Sequence, residues 1–160
     1  MTKKEKLIAD TKNNWKMRFF MLKKLPLAFI AGLKVIHIND EMASVSIPFK
    51  FLNQNPFQSI YFAALAMAAE LSTGIIALVN VQGASKPVSM LVLNMSANFS
   101  KKAKGIIVFT CHEAKAIENA INESIESGEG KTVSVTSKGV DEAGDEVAEF
   151  KFTWTFKPKS

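Results

Sequence analysis

From Ser59 to Val79 the chain is almost wholly apolar, and its only charged residue, Glu70, stands near the middle. Ala, Leu and Met dominate the run, so it predicts a helix, and a helix apolar on every face must be buried on every face. Asn55 followed by Pro56 suits its start, because Asn caps free N–H groups and Pro tolerates the first helical position. A central helix over residues 56–80 is therefore expected. Two environments would bury it, a bilayer or a protein interior. The run is roughly long enough to span hydrocarbon, but Glu70 at its centre would cost a few kcal/mol there. The flanking sequence alternates as soluble strands on both sides, which favours a protein interior.

Those strands carry a period of two. Ala43, Val45, Ile47, Phe49 and Phe51 alternate with polar or small residues and pair with a preceding candidate at Leu33–Ile38 as a hairpin. Pro48 has no N–H to donate, so it places this strand at a sheet edge or at a bend. Further strands are expected at Val88–Phe99, Ile106–His112, Lys131–Ser137 and Val147–Lys157, with a surface helix over Glu113–Ser127. In the last strand Ala148, Phe150, Phe152, Trp154 and Phe156 face one way. About six strands joined by short links suggest antiparallel pairing, and wrapping them around one apolar helix gives an α+β fold. The 160 residues read as one domain, 1–160, with an additional basic amphipathic helix over residues 1–26 that ends near Pro26.

Residues 1–24 carry eight cations against Glu5 and Asp10, a net +6 in a chain whose total is +5. Such a stripe can meet nucleic acid, anionic lipid or a phosphate-bearing ligand, and otherwise is a solvated helix face. The solvated face is the preferred reading. No nucleic-acid partner is expected, and membrane association through residues 1–24 stands as a weaker alternative. Leu7, Ile8, Trp15, Phe19 and Leu22 recur at helical spacing and are expected to pack on the body of the protein. The segment lacks an apolar core followed by a small-residue cleavage site, so it does not read as a signal peptide. The single cysteine, Cys111, cannot form an internal disulfide, consistent with a cytoplasmic location.

The element order and two short stretches resemble the hotdog-fold thioesterases, in which a curved antiparallel sheet wraps a long central helix. Asn53-Gln54-Asn55-Pro56-Phe57-Gln58-Ser59-Ile60-Tyr61-Phe62-Ala63 occupies the place of that family's Asn and Gly-x-x-His-Gly-Gly, with Glu70 at its acidic position. Phe99-Ser100-Lys101-Lys102-Ala103-Lys104-Gly105 resembles its aromatic, basic, Ala and Gly turn. The match is nearer to a thioesterase-like branch, related to phenylacetyl-CoA thioesterases, with Asn-x-Asn, Ser-x-Tyr and Ala-Glu followed by Gly. His-Gly-Gly is replaced here by Tyr61-Phe62-Ala63, and bulkier residues hinder close approach of a carbonyl to the backbone.

Thioester hydrolysis needs a polarised carbonyl and an attacking water or carboxylate. Free N–H groups at a helix start can stabilise the developing charge, which points to the first turn across Ser59–Phe62. Glu70 is the expected general base or nucleophile. Its alternative is a structural carboxylate. Three turns separate Ser59 from Glu70, so the resemblance implies a homodimer or tetramer in which the partner chain supplies the carboxylate. Asn53, Asn55, Ser59, Tyr61 and Phe62 are candidate substrate contacts, the two asparagines alternatively caps or loop anchors. Lys101, Lys102 and Lys104 are candidates to hold the phosphates of a coenzyme A thioester. That thioester would be a substrate, and no resident cofactor or metal is expected. The leading expectation is a small-molecule acyl-CoA thioesterase. The alternative is a non-catalytic acyl or lipid binder on the same scaffold.

Overall fold

The apolar run around Glu70 folds into one long helix, and the remaining elements are arranged to cover it. The structure, a computed structural model, describes residues 1–159. In chain order the elements are α1 (Lys3–Lys12), α2 (Asn14–Lys24), α3 (Pro26–Ala31), β1 (Lys34–Ile38), β2 (Ala43–Pro48), a 3-10 turn at Phe51–Asn53, α4 (Phe62–Gly83), β3 (Val88–Phe99), β4 (Ile106–Cys111), α5 (Ala114–Ser127), β5 (Lys131–Val140) and β6 (Glu146–Pro158). Six antiparallel strands form one sheet in the order β1-β2-β4-β5-β6-β3, and α4 packs on it. This is the expected hotdog arrangement.

Close approach of helix to sheet depends on small side chains. Ala68, Ala69, Ser72 and Ala77 of α4 are fully buried, as are Phe109, Phe150, Phe152 and Phe156 of the sheet. Two hydroxyls tie the layers together. Ser72 Oγ donates to the Ala69 carbonyl at 2.7 Å, leaving Ser137 of β5 to donate to Ser72 at 2.7 Å. Thr73 Oγ1 donates to the Glu70 carbonyl at 2.9 Å and accepts from the Trp154 indole N–H at 3.0 Å. The helix is long and apolar enough to cross a bilayer. Here the protein's own layers bury most of it.

The N-terminal segment departs from the single helix expected over 1–26. Asn13 caps the end of α1, and its side chain accepts from Lys16 N at the start of α2. Pro26 then opens α3. The break at Asn13 resets the helical phase, so Met17 and Met21 are buried while Trp15, Phe19 and Leu22 face out, the reverse of the expected packing. Leu7 and Ile8 do pack on the core. Two further expectations are corrected. Pro48 is not on an edge strand, since β2 is paired on both sides; it is the last residue of that strand, opposite Ile106. The central helix begins at Phe62 rather than near Pro56, because Asn55 builds a loop instead of capping, and it runs on to Gly83.

The edges of the sheet are β1 and β3. In β3 a bulge at Leu93 keeps Met90, Val92, Met95, Ala97 and Phe99 all opposite inward residues of β6. Leu91, Leu93, Met95 and Phe99 are nonetheless exposed. A twelve-residue apolar strand with one unpaired edge is a template for another chain.

The Thr73 hydroxyl is the only group bonded to the buried Trp154 indole among the described residues. Thr73→Val keeps the shape and removes the acceptor, so it should lower unfolding free energy by about 1–3 kcal/mol in urea titrations. A loss near zero would mean that the bond does not hold sheet to helix.

Candidate functional site

The start of α4 is built by the loop before it. Asn53 is buried, and its amide donates to the Ala31 and Pro48 carbonyls at 2.8 and 2.9 Å. Asn55 Oδ1 accepts from Phe57 N and Ser59 N at 2.9 and 3.3 Å, and its amide donates to Ser59 Oγ at 3.0 Å. Between them Gln58 adopts the left-handed region, φ 55°. Ile60 N donates to Ala103 O and Tyr61 N to Asn53 O at 2.8 and 2.7 Å. The loop thereby satisfies every backbone donor from Ser59 to Tyr61. Tyr61 is the N-cap residue but offers no side-chain cap, and the first turn holds no acid. Among the described residues, Phe62 and Ala63 are left with free N–H groups. The free N–H groups, expected across Ser59–Phe62, therefore lie later, at Phe62 and Ala63.

Beside this helix start lies a cleft of about 720 Å³ that Asn55, Ser59, Tyr61, Phe62, Lys101 and Lys102 all line. Aromatic rings carry the cleft into the core. Tyr61 meets Phe62 edge-on at 4.9 Å, Phe62 meets Phe99 at 6.4 Å, and Phe99 meets the buried Phe150 at 5.6 Å. Phe99 was not singled out as a site residue by the sequence; its position beside the basic turn was the available signal. Lys101 is tied to Asp141 and Asp145 at 2.7 Å each, and those bonds raise its pKa. The Lys102 ammonium lies 5.9 Å from the Phe57 ring centre. Asn53 lies beneath the cleft rather than in it, and Lys104 is exposed but does not line it.

Glu70 lies elsewhere. Eight residues of helix separate it from Phe62, a rise of about 12 Å. It borders a separate cavity of about 200 Å³ between α2 and α4, shared with Phe20, Lys24, Gly74, Leu78 and Met90. Its carboxylate folds back over Gly74, where an added Cβ would lie 2.9 Å from Oε1. Among the described residues it has neither an ion-pair partner nor a hydrogen bond. Loss of hydration therefore raises its pKa above the ordinary glutamate value. Phe20, Ile75 and Leu78 also border a neighbouring cavity of about 120 Å³. Sequence analysis missed the part α2 plays in roofing Glu70. The Met17, Phe20, Met21 and Lys24 spacing held that information. Cys111 is fully buried, and burial pushes its thiol pKa up to about 11, so it remains protonated.

The raised pKa of Glu70 fixes a sign. Between the unfolded and folded values the native state binds more protons, so stability falls as pH rises. Glu70→Gln has no such dependence. Its stability advantage over the wild type should grow as pH rises from the ordinary glutamate pKa through the folded value, then level off. Urea titrations from pH 4 to 8 check this, and a constant or shrinking difference contradicts the desolvated carboxylate.

Comparison with known proteins bears on the fold. A family model described as a domain of unknown function, DUF4442, matches residues 13–156. Among curated proteins none matches the chain. A protein of unknown function from Pseudomonas aeruginosa, described as a probable thioesterase, superposes with TM-score 0.74 at 23% identity, over 90% of this chain and 95% of that one. The E. coli PaaI protein from the phenylacetic acid degradation operon superposes with TM-score 0.63 at 14% identity, over 96% of each chain. A Haemophilus influenzae thioesterase gives TM-score 0.60 at 10% identity, over 88% of each chain. These likenesses are of fold. The chain has the hotdog fold, and with the family model covering most of its length it belongs to the DUF4442 family.

Proposed function

We propose that the protein is an acyl-CoA thioesterase whose site is shared between two copies of the chain. The observation that carries this reading is the uncapped start of α4, where the Phe62 and Ala63 N–H groups have no partner and Phe62 lines an open aromatic cleft. The thioester carbonyl oxygen accepts from these two donors, which the helix dipole reinforces as negative charge develops. Glu70 takes a proton from water as the water attacks the carbonyl carbon. The C–S bond then breaks, the thiolate leaves and recovers the proton, and a carboxylic acid remains. Glu70 attacking directly to form an anhydride is the covalent variant of the same step.

A single chain holds the donors and the carboxylate about 12 Å apart along one helix, too far to act on one carbonyl. The exposed edge of β3 supports the remedy. Antiparallel pairing of β3 with its counterpart runs the two central helices antiparallel past each other, so that the partner supplies the glutamate. The acyl tail then enters the cavity of about 200 Å³ beside Glu70. Apolar cavities of about 150 Å³ hold benzene, so a short chain or an aromatic ring fits. Lys102 and Lys104 are the cations free to meet coenzyme A phosphates among the described residues of this turn, Lys101 being already paired. A cytoplasmic site of action agrees with the lone, unpaired Cys111.

One observation favours a second reading, a non-catalytic acyl binder. Tyr61-Phe62-Ala63 stands in place of His-Gly-Gly, so Phe62 and Ala63 carry side chains where glycines would leave the backbone open. An assay of thiol release from short, medium, long and aromatic acyl-CoAs separates the two. The catalytic reading expects turnover that falls at least about a hundredfold in Glu70→Gln, the usual scale for losing a general base. Absence of turnover across the panel, with acyl-CoA binding retained, selects the binder.

The dimer has its own test. Charges on the apolar edge, as in Leu93→Lys with Met95→Lys, should give a folded monomer by light scattering with turnover lost. A fully active monomer contradicts the shared site.

A further inference from the structure

We infer that the outer face of α2 and α3 is a docking surface for an anionic phospholipid bilayer. This rests on surface chemistry and is independent of the thioester reading. Five large apolar side chains project from these two consecutive helices: Trp15 (84% exposed), Phe19 (58%), Leu22 (50%), Leu27 (66%) and Ile30 (52%). The spacing puts Trp15, Phe19 and Leu22 on one face of α2 and Leu27 and Ile30 on one face of α3, and exposed apolar side chains gathered in this way mark an interaction site. Trp, Phe and Leu on one face with Lys and Arg around it is the composition of a helix that lies in a membrane interface.

Charge selects the occupant. Residues 11–38 contain Lys12, Lys16, Arg18, Lys23, Lys24 and Lys34 and no Asp or Glu. The Lys23 ammonium lies 4.4 Å from the Phe19 ring centre, and the Arg18 guanidinium 4.9 Å from that of Phe29. Lys23 thus sits beside an exposed apolar side chain, where headgroup phosphates meet acyl chains, and of the six cations only Lys16 is ion-paired among the described residues, to Asp10. Long basic side chains reach such a boundary while their stems stay in apolar surroundings. A second copy of this chain is a poorer occupant, because a two-fold contact would set these cations against themselves. The β3 edge assigned to the dimer contains none of these residues.

The two tryptophans make the test specific. Trp154 is buried and bonded to Thr73, so a change in emission on adding vesicles reports Trp15. The full chain is mixed with phosphatidylcholine vesicles, with and without phosphatidylglycerol, and followed by emission and by co-sedimentation. The expected result is a blue shift with anionic vesicles and a partition coefficient at least tenfold above that for phosphatidylcholine alone. Phe19→Ser with Leu27→Ser, and separately Lys12→Glu with Lys23→Glu, should each lower it at least tenfold; all four positions are exposed. Three results overturn the inference: no binding to either vesicle; binding that the serine pair leaves unchanged, which marks charge attraction alone; or lipid-free self-association that the serine pair abolishes, which assigns the face to a second copy.

Discussion

A helix without a polar face imposes a demand on everything around it. Water cannot cover any side of α4, so the chain must supply cover on all of them. The sheet provides one side, and it can come close only because the helix presents Ala68, Ala69, Ser72 and Ala77 there. The Ser72–Ser137 and Thr73–Trp154 bonds then fix how helix and sheet sit against each other. Elsewhere α5, α1 and α2 complete the cover, with Ile117, Ile121, Met17 and Met21 among the buried residues. The candidate chemistry lies where that cover is incomplete. At the first turn the loop stops short of satisfying Phe62 and Ala63. At Glu70 a gap beneath α2 leaves a carboxylate among apolar neighbours.

Much of this was legible before the fold was known, and the reasons are physical. Alternation in β6 reads cleanly because each of its residues has a single neighbourhood, core or solvent. The central helix reads from composition alone. What the sequence hid was phase and attachment. Asn13 looks like any polar residue within a helical pattern, yet it ends one helix and begins another. With the phase reset, Trp15, Phe19 and Leu22 turn outward, although their spacing is equally compatible with burial. Asn55 followed by Pro56 has the composition of a helix start, but its side chain closes a loop onto Phe57 and Ser59. Only the tertiary bonds of that loop, to Ala103 and from Asn53, decide which N–H groups stay free.

The same distinction applies to the candidate residues. Residue type pointed to Glu70, and desolvation gives that choice a physical basis. Residue type also pointed to Lys101, which the structure pairs with two aspartates. Asn53 and Asn55 anchor the loop that sets the helix start, and Asn55 also lines the cleft. The DUF4442 assignment and the hotdog likenesses fix the scaffold, and on such a scaffold the chemistry has to be argued from the groups present.

A site that draws on two chains can be reassembled by mixing two inactive variants. Phe62→Pro removes a donor at the first helical position, where proline is tolerated. Tyr61, with φ −60° and ψ 134°, already has the backbone that precedes a proline. Combined with Glu70→Gln under conditions where dimers exchange, it should restore roughly one quarter of wild-type thiol release, since half the dimers are mixed and each holds one intact site of two. No recovery, with subunit exchange verified by mass spectrometry, would contradict a site shared between chains.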